Sequence, residues 1–401
     1  MRHKLIARQP ILDSELRIFA YELLFRGGPQ NAFQPYANAT ASVVADTIAL
    51  FDLKMLTGRA RAFINVDEVA LQLDAVRLLP AERTVVEILE TVRPTKEILA
   101  ICGELRLAGY QIALDDFIGQ PEAEPFLEFA NYLKVDFQLL APEARQLLAA
   151  RYAHQDFRLL AEKVETHAEM QQARDLGFSY FQGYFFCRPA LLETSEVPGN
   201  KRIQLELLNA ISAIPLQLDA IEELLQLEPS LLYRLLRYLN SPVLGLPAEI
   251  HDVRSAMANL GENEFRRWVS IFVIISLGSG KSPELIRTTL IRAFFCEELS
   301  ECSGMNGQRA SLFQMGLLSI TDALLDKPME NILRSMPISE DLKTALSGGA
   351  NRFRDIFDLL LALEGADWPN LSALAQKLGC PEETIPLSYE LAIEHAASVG
   401  A

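Results

Sequence analysis

Carboxylates recur at regular points along the first half of this 401-residue chain. Each follows a β-rich run. In order the run ends carry Glu22, Asn65, Glu87, Asp115 with Asp116, Lys134, Glu162 with Glu165, and Gln182. Any one of these acids alone reads as a cap, a solvated loop residue or the start of a turn. The set does not, because scattered surface acids have no reason to choose the same end of successive strands. Carboxylates are rarely buried unless paired or bound to metal. Gathered at one mouth, these would repel one another without cations. Hard oxygen ligands in such number suit Mg²⁺ or Mn²⁺, and the absence of Cys and His from the set argues against zinc.

The elements that must position them can be read from the pattern. Candidate strands are 5–12, 17–25, 61–66, 84–89, 111–117, 132–137, 157–164 and 180–186. Most are apolar on both faces, as in a parallel sheet covered by helices. Helical segments such as 40–56, 95–108 and 167–176 lie between them. The pattern predicts an α/β fold, a TIM-like β/α barrel whose chemistry sits at the C-terminal strand ends. The first two runs are joined by a tight turn around Asp13-Ser14-Glu15, too short for a crossover, so one antiparallel strand is expected. Near residue 190 the pattern changes. Residues 193–200 read as a linker, and beyond them 3.6-residue spacing predicts helices at 202–212, 219–227, 230–239, 264–277, 283–303 and 311–325. The expected division is 1–195, a barrel, and 196–401, an all-helical domain.

The residues of the first half carry a resemblance. Glu22-Leu23-Leu24-Phe25-Arg26 is similar to the E-[AL]-L-x-R signature of the EAL-domain cyclic di-GMP phosphodiesterases, and Gln9-Pro10 to their upstream Gln-Pro. Ile64-Asn65, Glu87-Ile88-Leu89-Glu90, Asp115-Asp116-Phe117 and Lys134-Val135-Asp136 resemble the family's I-N, E-x-x-E, D-D-F and K-[IV]-D. Ala161-Glu162-Lys163-Val164-Glu165-Thr166 resembles A-E-G-V-E-T, and Gln182-Gly183-Tyr184 with Arg188-Pro189 resembles the closing motif. The motifs stand in the family's order across residues 1–195.

The resemblance implies roles. Glu22, Asn65, Glu87, Asp115 and Asp116 are expected to hold two divalent cations, with Asp115 bridging. Glu162 is expected to complete that shell and accept a proton, and Glu165 to stand with it among the catalytic groups. Lys134 is expected to orient the nucleophile and offset phosphoryl charge. Arg26 is expected to hold a phosphate through its bidentate fork. Gln9 is expected to meet a guanine edge, with Gln182 beside the substrate. The implied product is the linear dinucleotide pGpG. Glu90 is expected to anchor the loop after D-D-F.

Two departures stand out. The family continues D-D-F with G-T-G-Y-S-S, whereas this chain has Ile118-Gly119-Gln120-Pro121-Glu122-Ala123. In the family that loop joins the second-metal Asp to a dimer contact, so the usual dimer is expected to be weakened. Lys163 stands where the family has Gly, a residue that tolerates backbone angles Lys adopts only at a cost.

The second half resembles the HDOD module, a helical relative of HD-type metal phosphohydrolases. The resemblance lies in Glu228-Pro229-Ser230-Leu231, Asn240-Ser241-Pro242 and Ala258-Asn259-Leu260-Gly261. The helix that carries the His-Asp pair in HD enzymes appears as Gly316-Leu317-Leu318-Ser319-Ile320-Thr321-Asp322, with both ligands replaced. His251-Asp252 lies in a loop-like segment with no partner His. This half is expected to be a regulatory module with an unidentified protein partner.

Composition narrows the function classes. The chain is 50% hydrophobic and 22% charged, with net charge −16. That is a globular composition, and the acidity disfavours direct nucleic-acid binding. The longest apolar run, 268–277, is far short of the roughly 20 residues that span a bilayer. The N-terminus has no apolar signal core. The five cysteines are scattered without a CxxC, which predicts reduced thiols in the cytoplasm. Two function classes follow. One is a metal-dependent phosphodiesterase with a helical regulator. The other is a cyclic di-GMP sensor or scaffold that signals through the helical half.

Overall fold

Asp13 starts the fold's first reversal. Its side chain accepts the backbone N–H groups of Glu15 and Arg17, at 2.9 and 3.0 Å, and closes a tight turn. The turn joins β1 (Leu5–Asp13) to β2 (Ile18–Arg26) as an antiparallel pair in which Gln9 faces Glu22. In the computed structural model the described residues are 5–26, 53–73, 75–152, 155–188, 199–240 and 250–399. The expected helix 40–56 and linker 193–200 fall largely outside them.

The barrel continues with β3 (Arg61–Val66), β4 (Thr84–Ile88), β5 (Gln111–Leu114), β6 (Tyr132–Asp136), β7 (Arg158–Glu162) and β8 (Tyr180–Gln182). The strands close in sequence order, with β1 antiparallel to both β2 and β8 and all other neighbours parallel. Every residue of β4 and of β6 is buried, which is why these runs are apolar on both faces.

The strand interior fixes the site above it. Ile11, Ala20, Phe63, Val85, Ala113, Tyr132 and Leu160 form one buried cluster, with Phe19 and Tyr180 packed against it. Ala20, Phe63, Val85, Ala113, Tyr132, Leu160 and Tyr180 each stand two residues before Glu22, Asn65, Glu87, Asp115, Lys134, Glu162 and Gln182 in turn. On β1, which runs the other way, Ile11 follows Gln9 by the same step. Side chains two apart share a strand face. An apolar floor therefore fills the barrel, and the polar residues form the next layer toward the mouth.

Three strands stop two or more residues before their apolar runs end. The runs 111–117, 157–164 and 180–186 end at Leu114, Glu162 and Gln182. Just beyond them Asp116, Lys163 and Gly183 take φ of 42°, 51° and 142°, which breaks the extended backbone. Gly183 is required where it stands. A Cβ there would lie 2.1 Å from Val164 O, in the close approach that lets Val164 N–H donate to Gln182 O.

The chain forms two compact units. One comprises Met1–Phe186, Leu361–Gln376 and Pro381–Ile393, and the other Cys187–Leu360, Lys377–Cys380 and Glu394–Ala401. The second unit is helical and is built around Glu262–Leu277 and Pro283–Cys302, both buried on most sides. The apolar run 268–277 lies inside the first of these. Among the described residues no helix is long and apolar enough to cross a membrane. The expected single helix 311–325 is two, Arg309–Leu318 and Thr321–Leu325. Ser319 breaks it by turning its hydroxyl back to Gly316 O at 2.7 Å. Cys302 and Cys380 are joined in a disulfide. This corrects the expectation that all thiols are reduced, and removes the cysteine argument for the cytoplasm.

Candidate active site

Lys134 ends in the middle of the barrel mouth. It is 1% exposed, and its ammonium pairs with Glu162 Oε1 at 2.8 Å, Asp115 Oδ1 at 3.1 Å, Glu22 Oε2 at 3.3 Å and, closer still, Glu87 Oε1. Each partner arrives from a different strand end, and each is placed there by the two-residue step above the apolar floor. Four carboxylates thus face one ammonium in a water-poor setting.

The electrostatics follow. Burial, reinforced by the charge of Glu22, pushes the Glu87 carboxyl well above its ordinary range. Burial also pushes Glu162 up to about 8, even with Lys134 beside it. Burial alone would lower Lys134, but the charges of Asp115, Glu162, Glu22 and Glu87 outweigh it and hold the ammonium firmly protonated. Asp115 goes the other way: burial would raise it, yet Lys134 and hydrogen bonds hold it below its usual value.

A row of amides completes the mouth. Asn65 Nδ2 donates to Glu22 Oε1 at 2.8 Å. Gln182 Nε2 donates to Glu22 Oε2 at 2.6 Å and to Gln9 Oε1 at 3.0 Å. Gln9 Nε2 donates to the main-chain carbonyl of Glu364 at 3.2 Å. Three buried oxygens here accept no hydrogen bond: Asn65 Oδ1, Glu87 Oε2 and Gln182 Oε1.

These orphaned oxygens bear on whether the site fits a metal. Buried acceptors without donors are costly, and a divalent cation satisfies them. One ligand atom each from Glu22, Glu87 and Glu162 lie within 4.8 Å of one another, and so do those of Glu90, Asp115 and Asp116. Both groups are all-oxygen. The residues present therefore fit hard divalent cations, and Lys134 balances part of the same negative charge.

The other expected residues are placed as follows. Glu90 is exposed, and its carboxylate joins Asp115 and Asp116 rather than only steadying a loop. Asp116 has a positive φ, and burial with repulsion from Asp115 raises its carboxyl. Glu165 is exposed, and its N–H donates to Glu169 Oε2 at 2.8 Å where helix His167–Asp175 begins; it is not among the carboxylates paired with Lys134. Arg26 closes β2, and its side chain lies outside the described residues.

Two neighbours of the site were not foreseen. Asp136 is buried, receives Lys163 Nζ at 2.5 Å, and caps the next turn by accepting the N–H groups of Gln138 and Leu139. Its place in Lys134-Val135-Asp136 was the available signal. Glu364 reaches Gln9 from 355 residues away, and nothing in its local sequence marks it. The altered loop after Phe117 forms a 3-10 turn, Pro121–Phe126, held by buried Phe126 and an ion pair between Glu124 and Arg151 at 2.7 Å.

The chain is similar to known families and proteins. The EAL domain family matches residues 9–189 and the HDOD domain family residues 197–331. The chain is 33% identical over 385 residues to cyclic di-GMP phosphodiesterase CdgJ of Vibrio cholerae, covering 95% of this chain and 89% of that protein. It is 31% identical over 399 residues to the uncharacterized protein YuxH of Bacillus subtilis, covering 97% and 96%. Among solved structures, Klebsiella pneumoniae BlrP1, in a complex with manganese and cyclic di-GMP, is 23% identical with a TM-score of 0.39, over 46% of this chain and 55% of that one. The matched domains, their order and the near full-length identity to CdgJ place this chain in the family that joins an EAL domain to an HDOD domain.

Proposed function

We propose that the chain is a cyclic di-GMP phosphodiesterase that opens its substrate to pGpG, and that its HDOD half regulates this activity or passes it to a protein partner. The observation that carries the reading is the cluster of Glu22, Glu87, Asp115 and Glu162 around buried Lys134, with orphaned oxygens on Asn65 and Glu87. The near full-length similarity to CdgJ supports the same substrate.

Glu22, Asn65, Glu87, Asp115 and Asp116, with Glu162 and Glu90 at the margin, would hold two cations of the Mg²⁺ or Mn²⁺ kind. Such a pair supplies a nucleophile from water at neutral pH and neutralises the charge of an in-line displacement at phosphorus. Lys134, freed from part of its carboxylate shell, points its charge at the phosphoryl oxygens. Glu162 is the proton acceptor in this scheme, because it sits beside that lysine and would be ionised once a divalent cation replaces the proton that burial favours in the metal-free site. The attacking water loses a proton, the bond from phosphorus to one 3′ oxygen breaks, and that oxygen leaves with a proton. Gln9 and Gln182 read the base, and Arg26 holds the second phosphate. Glu165 is left out of this scheme because it is exposed and apart from Lys134.

One observation favours the sensor reading. Lys163 takes a positive φ and lays a cation beside Asp136, with its charge felt at Asp116. That cation weakens the pull on a second metal. Purified protein incubated with cyclic di-GMP and Mg²⁺ or Mn²⁺ separates the readings: pGpG formation that EDTA abolishes supports the enzyme, and tight binding without turnover supports the sensor.

A further inference from the structure

Gln9 is held from outside the barrel. Its Nε2 donates to the main-chain oxygen of Glu364, the last residue of helix Arg352–Glu364, and residues 361–376 belong to the same compact unit as the barrel. Glu364 is 6% exposed, so this helix end is packed into place rather than lying loosely on a surface. We infer that the helix end at Glu364 is a positioning element for ligand binding, acting through the amide of Gln9. The inference rests on the proposed role of Gln9 as a contact for the base.

Hydrogen-bond polarity sets the direction of each amide in the row. An amide can be turned end for end at little steric cost, and its hydrogen-bond partners decide which way it points. Glu364 O can only accept, and so can the carboxylate of Glu22 at the other end of the row. Between them, Gln9 must send Nε2 to Glu364 and Gln182 must send Nε2 to Glu22. Gln9 Oε1 then faces Gln182 Nε2, and Gln182 Oε1 is left without a donor. The carbonyl thus fixes which donor and which acceptor Gln9 shows to a base. It also links the C-terminal segment to Lys134 through Gln9, Gln182 and Glu22. Amides fixed before the ligand arrives lose less freedom on binding.

A double-mutant cycle on the full chain tests this. Ala366 has φ of 53° and donates its N–H to Leu363 O at 3.1 Å. Ala366→Pro forbids that angle and removes that donor, so it shifts the helix end without emptying the core. Gly365→Ala is the milder variant, since its Cβ would lie 3.2 Å from Leu361 O. Each is combined with Gln9→Ala, and KM, kcat and melting temperature are measured with cyclic di-GMP and Mn²⁺. Where there is binding without turnover, Kd replaces KM. We expect each single variant to raise KM roughly 3- to 10-fold, the range of one hydrogen bond, with kcat within about 2-fold. In the Gln9→Ala background neither should raise KM further. Equal increases with and without Gln9, or no increase from Ala366→Pro in a protein that still melts cooperatively, overturn the inference. A wild-type chain that neither binds nor hydrolyses cyclic di-GMP sinks the functional reading itself, and the inference with it.

Discussion

Glu162 Oε1 lies 2.8 Å from Lys134 Nζ, yet burial keeps the Glu162 carboxyl up at about 8. Its ordinary value is 4.5, so between these two pH values the folded metal-free chain holds a proton that the unfolded chain has released. Stability of the metal-free protein therefore falls as pH rises through that window. A divalent cation needs the ionised carboxylate and competes with the proton. Mn²⁺ should raise the melting temperature more at about pH 8.5 than at about pH 6, relative to EDTA. Thermal unfolding at the two pH values checks this. A larger gain at the lower pH contradicts the assignment of Glu162 to the metal-facing layer.

Asp115 and Asp116 directly follow the end of β5. Asp115→Asn and Asp116→Asn keep the volume and remove one charged ligand each. Asp116→Asn should leave the melting temperature of the metal-free chain within a few degrees or raise it, because repulsion from Asp115 is relieved, whereas Asp115→Asn should lower it modestly, because the ion pair with Lys134 is lost. Mn²⁺ affinity and turnover should each fall by at least the roughly 10- to 100-fold that changes around a metal's ligands cause. Calorimetric titration with Mn²⁺ and an activity assay check the pair. Unchanged activity in either variant shows that the residue is no ligand.

Much of this site was legible because a barrel strand has a period of two. Val85 and Glu87, Ala113 and Asp115, Tyr132 and Lys134, and Leu160 and Glu162 repeat one step, apolar then polar, on one face. The pattern names the site residues without any coordinates. It overruns the strands at Asp116 and Lys163, because backbone angle is not written in hydropathy. The pairing of Lys163 with Asp136 depends on that angle, and so was hidden. Glu364 and the Cys302–Cys380 bond join residues far apart in the chain, which local periodicity cannot reveal.

At the position that resembles the metal-ligand pair of HD enzymes, the helical half carries Ser319 and Ile320. Ser319 caps its own helix and receives Arg292 Nη1 at 3.4 Å, and Ile320 is buried. A guanidinium occupies the neighbourhood a cation would need. In the full chain, Glu87→Gln combined with Asp115→Asn should abolish stoichiometric binding of Mn²⁺, Fe²⁺ and Zn²⁺. Elemental analysis after dialysis checks this. One equivalent of metal retained by the double variant would contradict this and show that Glu87 and Asp115 are not essential to hold it.

Pro121 and Glu122 stand where the family has small and hydroxylated residues, with the acids Glu124 and Glu128 just beyond. Pro removes a backbone donor, and the acids make the segment after Phe117 more negative, with Glu124 paired to Arg151. A chimera with Gly-Thr-Gly-Tyr-Ser-Ser after Phe117 and Lys163→Gly should bind its second Mn²⁺ about 10- to 100-fold more tightly. It should also self-associate more strongly and reach full activity at lower metal. Sedimentation and metal titration of parent and chimera check this. If the chimera neither dimerises nor turns over better than the parent, the loop is not what limits this protein.

The central claim is that the acids around Lys134 hydrolyse a phosphodiester with the help of divalent metal. The most direct measurement is a single-turnover assay, with enzyme in excess over cyclic di-GMP, in Mn²⁺ and in EDTA, for wild type and Asp115→Asn. The account predicts one product, pGpG, formed by the wild type in Mn²⁺, with EDTA and Asp115→Asn each suppressing it. Intact cyclic di-GMP after prolonged incubation with wild type and Mn²⁺, or equal turnover in EDTA, would contradict it.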